Sequence, residues 1–468
     1  MTAKLLQKSV SIAALALTAL CLQACDEEEG AVTVTPVDAG AGGSNVVAPP
    51  ADAAPIVVSK MDGGLAPDAA TPDASLPVIT STQGRLLVAD STATNRRLVV
   101  VDLDDGKVVG SFTPIGASAV YSSKAQSQYA WVNQRDVGLV EIVASGIRTV
   151  NQGAVKDAPY LLNERLESPG PTHWAPQDNW IVSFNDGDGT FDYVLESSLG
   201  TRAPIFRKET TGVAHHGVAV VWNGSILASL PKPTAGDPTL AAWGPNYPVG
   251  VTVRSLAVPS VVTAQTELCP GLHGEAANSD AVSFGCNDGV LLVQRVARAI
   301  KFTKIPNPAG SAAGFRVGTV KMQDGLGRIV GNWAGGGDNK YLSLVAYKEA
   351  TPTFAVVTLP ANQIGFALEN TATPRIVVLT ADGNLHLLNA ETGVAIGTPL
   401  AVSPTTIGAA VAGAPVMTLG EGFAYIADPR DGTVSEVNLA TWQKGRSFAV
   451  GGKPNSVAAF GAWKAAKP

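Results

Sequence analysis

The stretch RIVVLTADGNLHLLNAETG, residues 375–393, decides the fold. An apolar run containing Ile376, Val377 and Val378 leads into Asp382-Gly383. A second run, Leu385 to Leu388, ends at another polar segment containing glycine. β-Branched residues favour extended backbone, and Asp-Gly supplies the positive φ that a two-residue hairpin demands. The stretch therefore reads strand, turn, strand. The same order recurs as LLVAD ending at Asp90, AWVN at Asn133, WIVSFNDGDG around Asn185 and SILASL ending at Leu230. It continues as VSFGCNDG around Asn287, RIVGN at Asn332 and FAYIAD at Asp428. With residues 375–393 these make eight units, roughly 40 to 60 residues apart.

That period, with three or four strands per unit, is the period of a propeller blade. A closed ring of blades also removes the long sheet edges that would otherwise aggregate. Eight blades are expected, and seven is the alternative count. A tandem of β-sandwiches is the rival architecture, but sandwiches rarely repeat one turn chemistry so regularly. The 49 Gly and 31 Pro suit a chain of many turns, and no convincing amphipathic helix interrupts it. The expected fold class is all-β, a single β-propeller over residues 78–468.

The beginning of the chain reads differently. Lys4 and Lys8 accompany an apolar stretch from about Val10 to Leu22, too short to span a bilayer stably and shaped like a secretory signal. It closes with Leu22-Gln23-Ala24-Cys25, which resembles a lipobox; an ordinary export signal is the alternative. Residues 1–24 are thus expected to be a lipoprotein signal peptide, with Cys25 as the lipidated N-terminus. Several acyl chains on one cysteine anchor firmly to a membrane. Residues 25–77 are mostly Ala, Pro, Gly, Asp and Val, too poor in large apolar groups to offset their ordering entropy, and are expected to form a disordered tether. The expected location is the periplasm or cell surface.

With Cys21 removed and Cys25 lipidated, Cys269 and Cys286 remain in an oxidising compartment, where a disulfide is the default. Free thiols or zinc thiolates are the alternatives. A net charge of −6 without a basic cluster argues against nucleic acid as a partner.

Five histidines carry most of the chemical interest: His173, His215, His216, His273 and His386. His173, His216 and His273 each precede an apolar run, WIVSF, SILASL and AVSFGC respectively, by about the same interval. In a propeller those positions open the innermost strands of three neighbouring blades, so the side chains converge. Three neutral imidazoles are the core of a tetrahedral zinc site. Glu275, His215 or water is the candidate fourth ligand. Glu275 follows His273 by two residues and would share its face in a strand, whereas His215 would face away from His216. His386 is expected at an exposed polar position. Asp186-Gly187-Asp188-Gly189 lacks the further carboxylates of a calcium loop and reads as a hairpin turn. No Gly-x-Ser-x-Gly elbow, P-loop or clear acid–base pair is present, so an enzyme is not expected.

The segments Pro171-Thr172-His173, Ala214-His215-His216-Gly217-Val218, Cys269-Pro270-Gly271-Leu272-His273-Gly274-Glu275-Ala276 and Phe284-Gly285-Cys286-Asn287-Asp288-Gly289 resemble the AztD-type periplasmic zinc metallochaperones. The resemblance covers most of the domain. It implies a propeller that binds zinc through histidines and hands it to the solute-binding protein of a zinc-import ABC transporter; the chain itself is expected to be a monomer. His173, His215 or His216, and His273 would then inherit the ligand role, and Cys269 and Cys286 the disulfide; His386 also matches a recurrent segment. Two features depart from that pattern. Residues 25–77 contain no histidine where many relatives carry a His-rich stretch, and no second histidine comes shortly after Thr172-His173, the next residues being Trp174 through Asn179. Both departures bear on a second zinc site and on transfer. The rival class is a metal-free interaction scaffold.

Overall fold

The computed structural model describes residues 77–92, 96–150, 153–233, 246–403 and 413–465. The predicted signal peptide, Cys25 and nearly all of the predicted tether lie outside the described residues.

The chain builds eight blades. Seven are four-stranded antiparallel sheets; in the other, the outer place is shared by two short strands, Tyr160–Leu161 and Leu166–Glu167. The eight apolar runs of the sequence are the second strands of the eight blades: Arg85–Asp90, Tyr129–Gln134, Trp180–Asn185, Ser225–Pro233, Ala281–Cys286, Arg328–Ala334, Arg375–Thr380 and Phe423–Asp428. Their runs are continuous rather than alternating because neighbouring blades cover both faces. Outer strands lie open, as in Gln443–Ala449, where only Phe448 is buried.

The ring closes by exchange between the two ends of the chain. Pro454–Phe460 is the innermost strand of the blade whose other strands are Arg85–Asp90, Arg97–Asp102 and Val108–Phe112. Beside it, Ser81–Thr82 pairs with Trp463–Lys464.

The turn at Asp382-Gly383 differs from the expected two-residue hairpin. The loop holds three residues, Gly383 has φ +81°, and its N–H donates to the Thr380 carbonyl at 3.0 Å. This is a tight turn closed by a left-handed glycine. A two-residue turn with both φ positive occurs instead at Asn223-Gly224, between Trp222 and Ser225.

One apolar cluster runs through the third, fourth and fifth blades and includes Phe184, Phe191, Trp222, Leu272 and Phe284. The Trp222 indole N–H donates to the Asn278 carbonyl at 2.8 Å, across the seam between the fourth and fifth blades. Losing a buried ring such as that of Phe184 costs about 3–5 kcal/mol. This shared core makes the three blades a rigid base for side chains at their inner ends.

Candidate metal centre

His173 lies on Pro171–Gln177, the innermost strand of the third blade, just after a register shift. His216 and His273 lie in the loops that lead into Ala219–Trp222 and Glu275–Ala277, the innermost strands of the fourth and fifth blades. The matching registers do bring the three together. His173 Nε2 and His216 Nε2 are 3.1 Å apart. The His273 ring centroid is 5.2 Å from that of His173 and 5.1 Å from that of His216. One nitrogen from each ring lies within 4.8 Å of the other two. Nitrogens bound to one tetrahedral ion at about 2.0–2.1 Å sit about 3.3–3.4 Å apart, so the first pair is already near ligand spacing.

The surroundings suit a cation. Burial, with repulsion from His216, pushes His173 down to about 3. Burial and the nearby Arg316 hold His273 well below the ordinary imidazole range. Both rings are therefore neutral at physiological pH, the state in which a nitrogen lone pair can bind metal. His273 Nδ1 is buried and has no hydrogen-bond partner among the described residues. His216 is the most open of the three, so solvent reaches the group on its side.

The loop that carries His273 is pinned from several directions. Cys269 and Cys286 form a disulfide, with Cα atoms 5.1 Å apart. Cys286 ends the strand Ala281–Cys286, but Cys269 lies in the loop, so the bridge ties loop to strand rather than facing strands of a hairpin. Asn287 N–H donates to the Pro270 carbonyl at 2.8 Å and His273 N–H to that of Gly285 at 3.1 Å. Gly271, at φ +62°, has no room for a side chain, because a Cβ would collide with the Tyr247 hydroxyl and the Asn287 amide. The glycines after the histidines admit protein rather than metal. A Cβ on Gly274 would come within 2.7 Å of the Gly318 carbonyl oxygen, and one on Gly217 would strike His215 and Phe184.

Glu275 is close to the group but outside it. Its Oε2 lies 3.8 Å from His173 Nδ1, the ring nitrogen other than the one facing His216. Burial pushes its carboxyl up to about 8. His273 precedes the strand that begins at Glu275, so the two do not share a strand face. His215 is turned away: Nδ1 meets the Val213 carbonyl at 2.9 Å, Nε2 meets Ser229 Oγ at 2.8 Å, and the ring packs edge-on against Phe184. His386 is far along the ring and, contrary to expectation, buried, with Nε2 2.9 Å from Thr380 Oγ1. It lies on Asn384–Asn389, the third strand of its blade, which neighbouring blades cover.

Two further residues belong to the site: Asp186, which the sequence places in a hairpin turn, and Arg135, which no sequence motif marks. Asp186 Oδ2 is 2.7 Å from His216 Nδ1, and Arg135 Nη2 is 3.2 Å from the same oxygen. Each immediately follows the second strand of its blade, Arg135 in the second and Asp186 in the third. The available signal is that shared register: the turn after each of these second strands reaches the following blade, Arg135 to Asp186 and Asp186 to His216.

No family model matches the chain. In sequence it is 25% identical over 390 residues to the zinc chaperone AztD of Citrobacter koseri, spanning 81% of this chain and 87% of that protein. The structure of apo AztD from Citrobacter koseri superposes with a TM-score of 0.69 at 24% identity, covering 82% of this chain and 99% of the other. A second crystal structure of AztD from the same organism gives 0.69 at 23% identity, covering 80% and 96%. The resemblance expected from the CPGLHGEA segment is thus borne out: in sequence and in its eight-bladed fold, the chain closely matches the Citrobacter koseri zinc chaperone AztD.

Proposed function

We propose that this protein handles zinc outside the cytoplasm, holding one ion on His173, His216 and His273 and passing it to the solute-binding protein of a zinc-import ABC transporter. The observation that carries the reading is the 3.1 Å approach of His173 Nε2 to His216 Nε2 with the third ring beside them. The residues fit the ion. Two of the rings are held neutral by burial, and the buried His273 Nδ1 lacks a hydrogen-bond partner among the described residues. All-nitrogen imidazole sets suit zinc among the biological divalent ions, although they also accept copper and nickel.

Similarity to a zinc chaperone supports binding and release as the activity, rather than bond-making. The proposal includes residues 1–24 as a lipoprotein signal peptide, Cys25 as the membrane anchor, residues 25–77 as a tether and residues 78–468 as one monomeric propeller. With only His216 substantially open, an acceptor's ligand would approach on that side. The test is metal content after zinc loading and gel filtration. One equivalent in the wild type, and none in His216→Ala or His273→Ala, is the expected result. Metal-free wild type would leave the scaffold reading.

A further inference from the structure

We propose that Asp186 is a positioning residue that holds His216 with its proton on Nδ1 and its Nε2 lone pair facing His173 and His273. The inference rests on the zinc-site reading for its purpose, but not for its geometry. A carboxylate only accepts hydrogen bonds, so the 2.7 Å contact between Asp186 Oδ2 and His216 Nδ1 requires the hydrogen on Nδ1. A neutral imidazole carries one N–H, so Nε2 is left with its lone pair. Free histidine in water favours the opposite tautomer, with the proton on Nε2, which would turn a donor toward the group.

Asp186 is itself held in place. Its N–H donates to the Gly170 carbonyl at 2.9 Å. Arg135 Nη2 approaches Oδ2 at 3.2 Å, and the Gly217 N–H reaches Oδ1 at 3.4 Å. Its turn closes through the Gly189 N–H, which donates to the Asn185 carbonyl at 2.9 Å. The chain Arg135, Asp186, His216 therefore crosses the second, third and fourth blades and converts their packing into the orientation of one ring. A carboxylate behind a ligating histidine fixes its tautomer and raises its basicity, and losing such a partner typically costs 10–100-fold in metal affinity.

The geometry also sets the state of the neighbouring ring. With a lone pair on His216 Nε2, the 3.1 Å contact requires His173 to donate from its own Nε2 in the metal-free protein. The two rings thus carry opposite tautomers before metal arrives.

The experiment uses the mature wild-type protein, Asp186→Ala and Asp186→Asn, labelled with 15N-histidine, metal-free at about pH 8, where ordinary imidazoles are neutral. Long-range 1H–15N spectra, assigned with single histidine variants, report which nitrogen carries each proton. His216 should be protonated on Nδ1 in wild type, shift toward Nε2 in Asp186→Ala and stay mostly on Nδ1 in Asp186→Asn, whose carbonyl still accepts. Zinc affinity should fall about 10–100-fold in Asp186→Ala and less in Asp186→Asn. Wild-type His216 protonated on Nε2, or Asp186→Ala with unchanged tautomer and affinity, would overturn the proposal. If wild type shows the Nδ1 form yet binds no zinc, positioning stands and the zinc reading fails.

Discussion

His173 Nε2 stands 3.1 Å from His216 Nε2 although the two residues are 43 apart in sequence and belong to different blades. Neutral rings at this distance attract through one shared proton, whereas two protonated rings would repel. The seam between the third and fourth blades thus depends on the protonation of groups at its inner end, and so does the stability of the metal-free protein.

Glu275 and His173 act on that stability in opposite senses. Glu275 moves from an ordinary 4.5 to about 8 on folding. Between those values the folded state binds the extra proton, so stability falls as pH rises, and the loss is complete once pH passes about 8. His173 moves from 6.5 to about 3, so the unfolded state binds the extra proton and stability falls as pH drops below 6.5. Each group changes stability by at most about 1.4 kcal/mol per pH unit. Thermal unfolding in chelator should show wild type losing stability from about pH 6.5 to pH 8, and Glu275→Gln losing distinctly less. Equal slopes would mean that Glu275 is charged in the folded protein.

The disulfide spans a sequence separation of 17 residues, for which loop-closure entropy gives about 3 kcal/mol. Replacing both Cys269 and Cys286 by serine should lower unfolding free energy by roughly that amount and weaken metal binding through His273, whose loop is freed. Thiol labelling of denatured, unreduced wild type should modify neither cysteine. Full labelling of both would remove the bridge from the account.

Much of the ring was legible because second strands are buried on both faces, which leaves unbroken apolar runs such as Leu86 to Ala89 and Ile376 to Leu379. Outer strands escaped notice because exposure leaves them mixed in composition, as in Lys444 to Ser447. Register alone brought His173, His216 and His273 together. The roles of Asp186 and Arg135 are not legible in the sequence for a physical reason: a turn sequence specifies its own hairpin, while these two act across a seam on the following blade. The burial of His386 is not legible either, because a polar residue beside a turn reads as exposed, yet Thr380 satisfies it in the interior.

Anchoring depends on Cys25, which lies outside the described residues. Mass spectrometry of detergent-extracted protein should find a lipid-bearing N-terminal peptide beginning at Cys25. A Cys25→Ser variant should move from the membrane to the soluble fraction. Equal membrane association of the variant would contradict lipidation at this residue.

Whether three histidines from three blades hold one zinc ion can be read from competition titration with a chromogenic zinc chelator on wild type and on five single alanine variants, at His173, His215, His216, His273 and His386. Wild type should show one tight site, with affinity falling at least about 100-fold when His173, His216 or His273 is removed, since each is one of only three protein ligands. His215→Ala and His386→Ala should stay within about tenfold of wild type, because their ring nitrogens are engaged elsewhere. Wild-type affinity in both His216→Ala and His273→Ala, or loss of binding in His386→Ala alone, would show that zinc is not held by these three histidines.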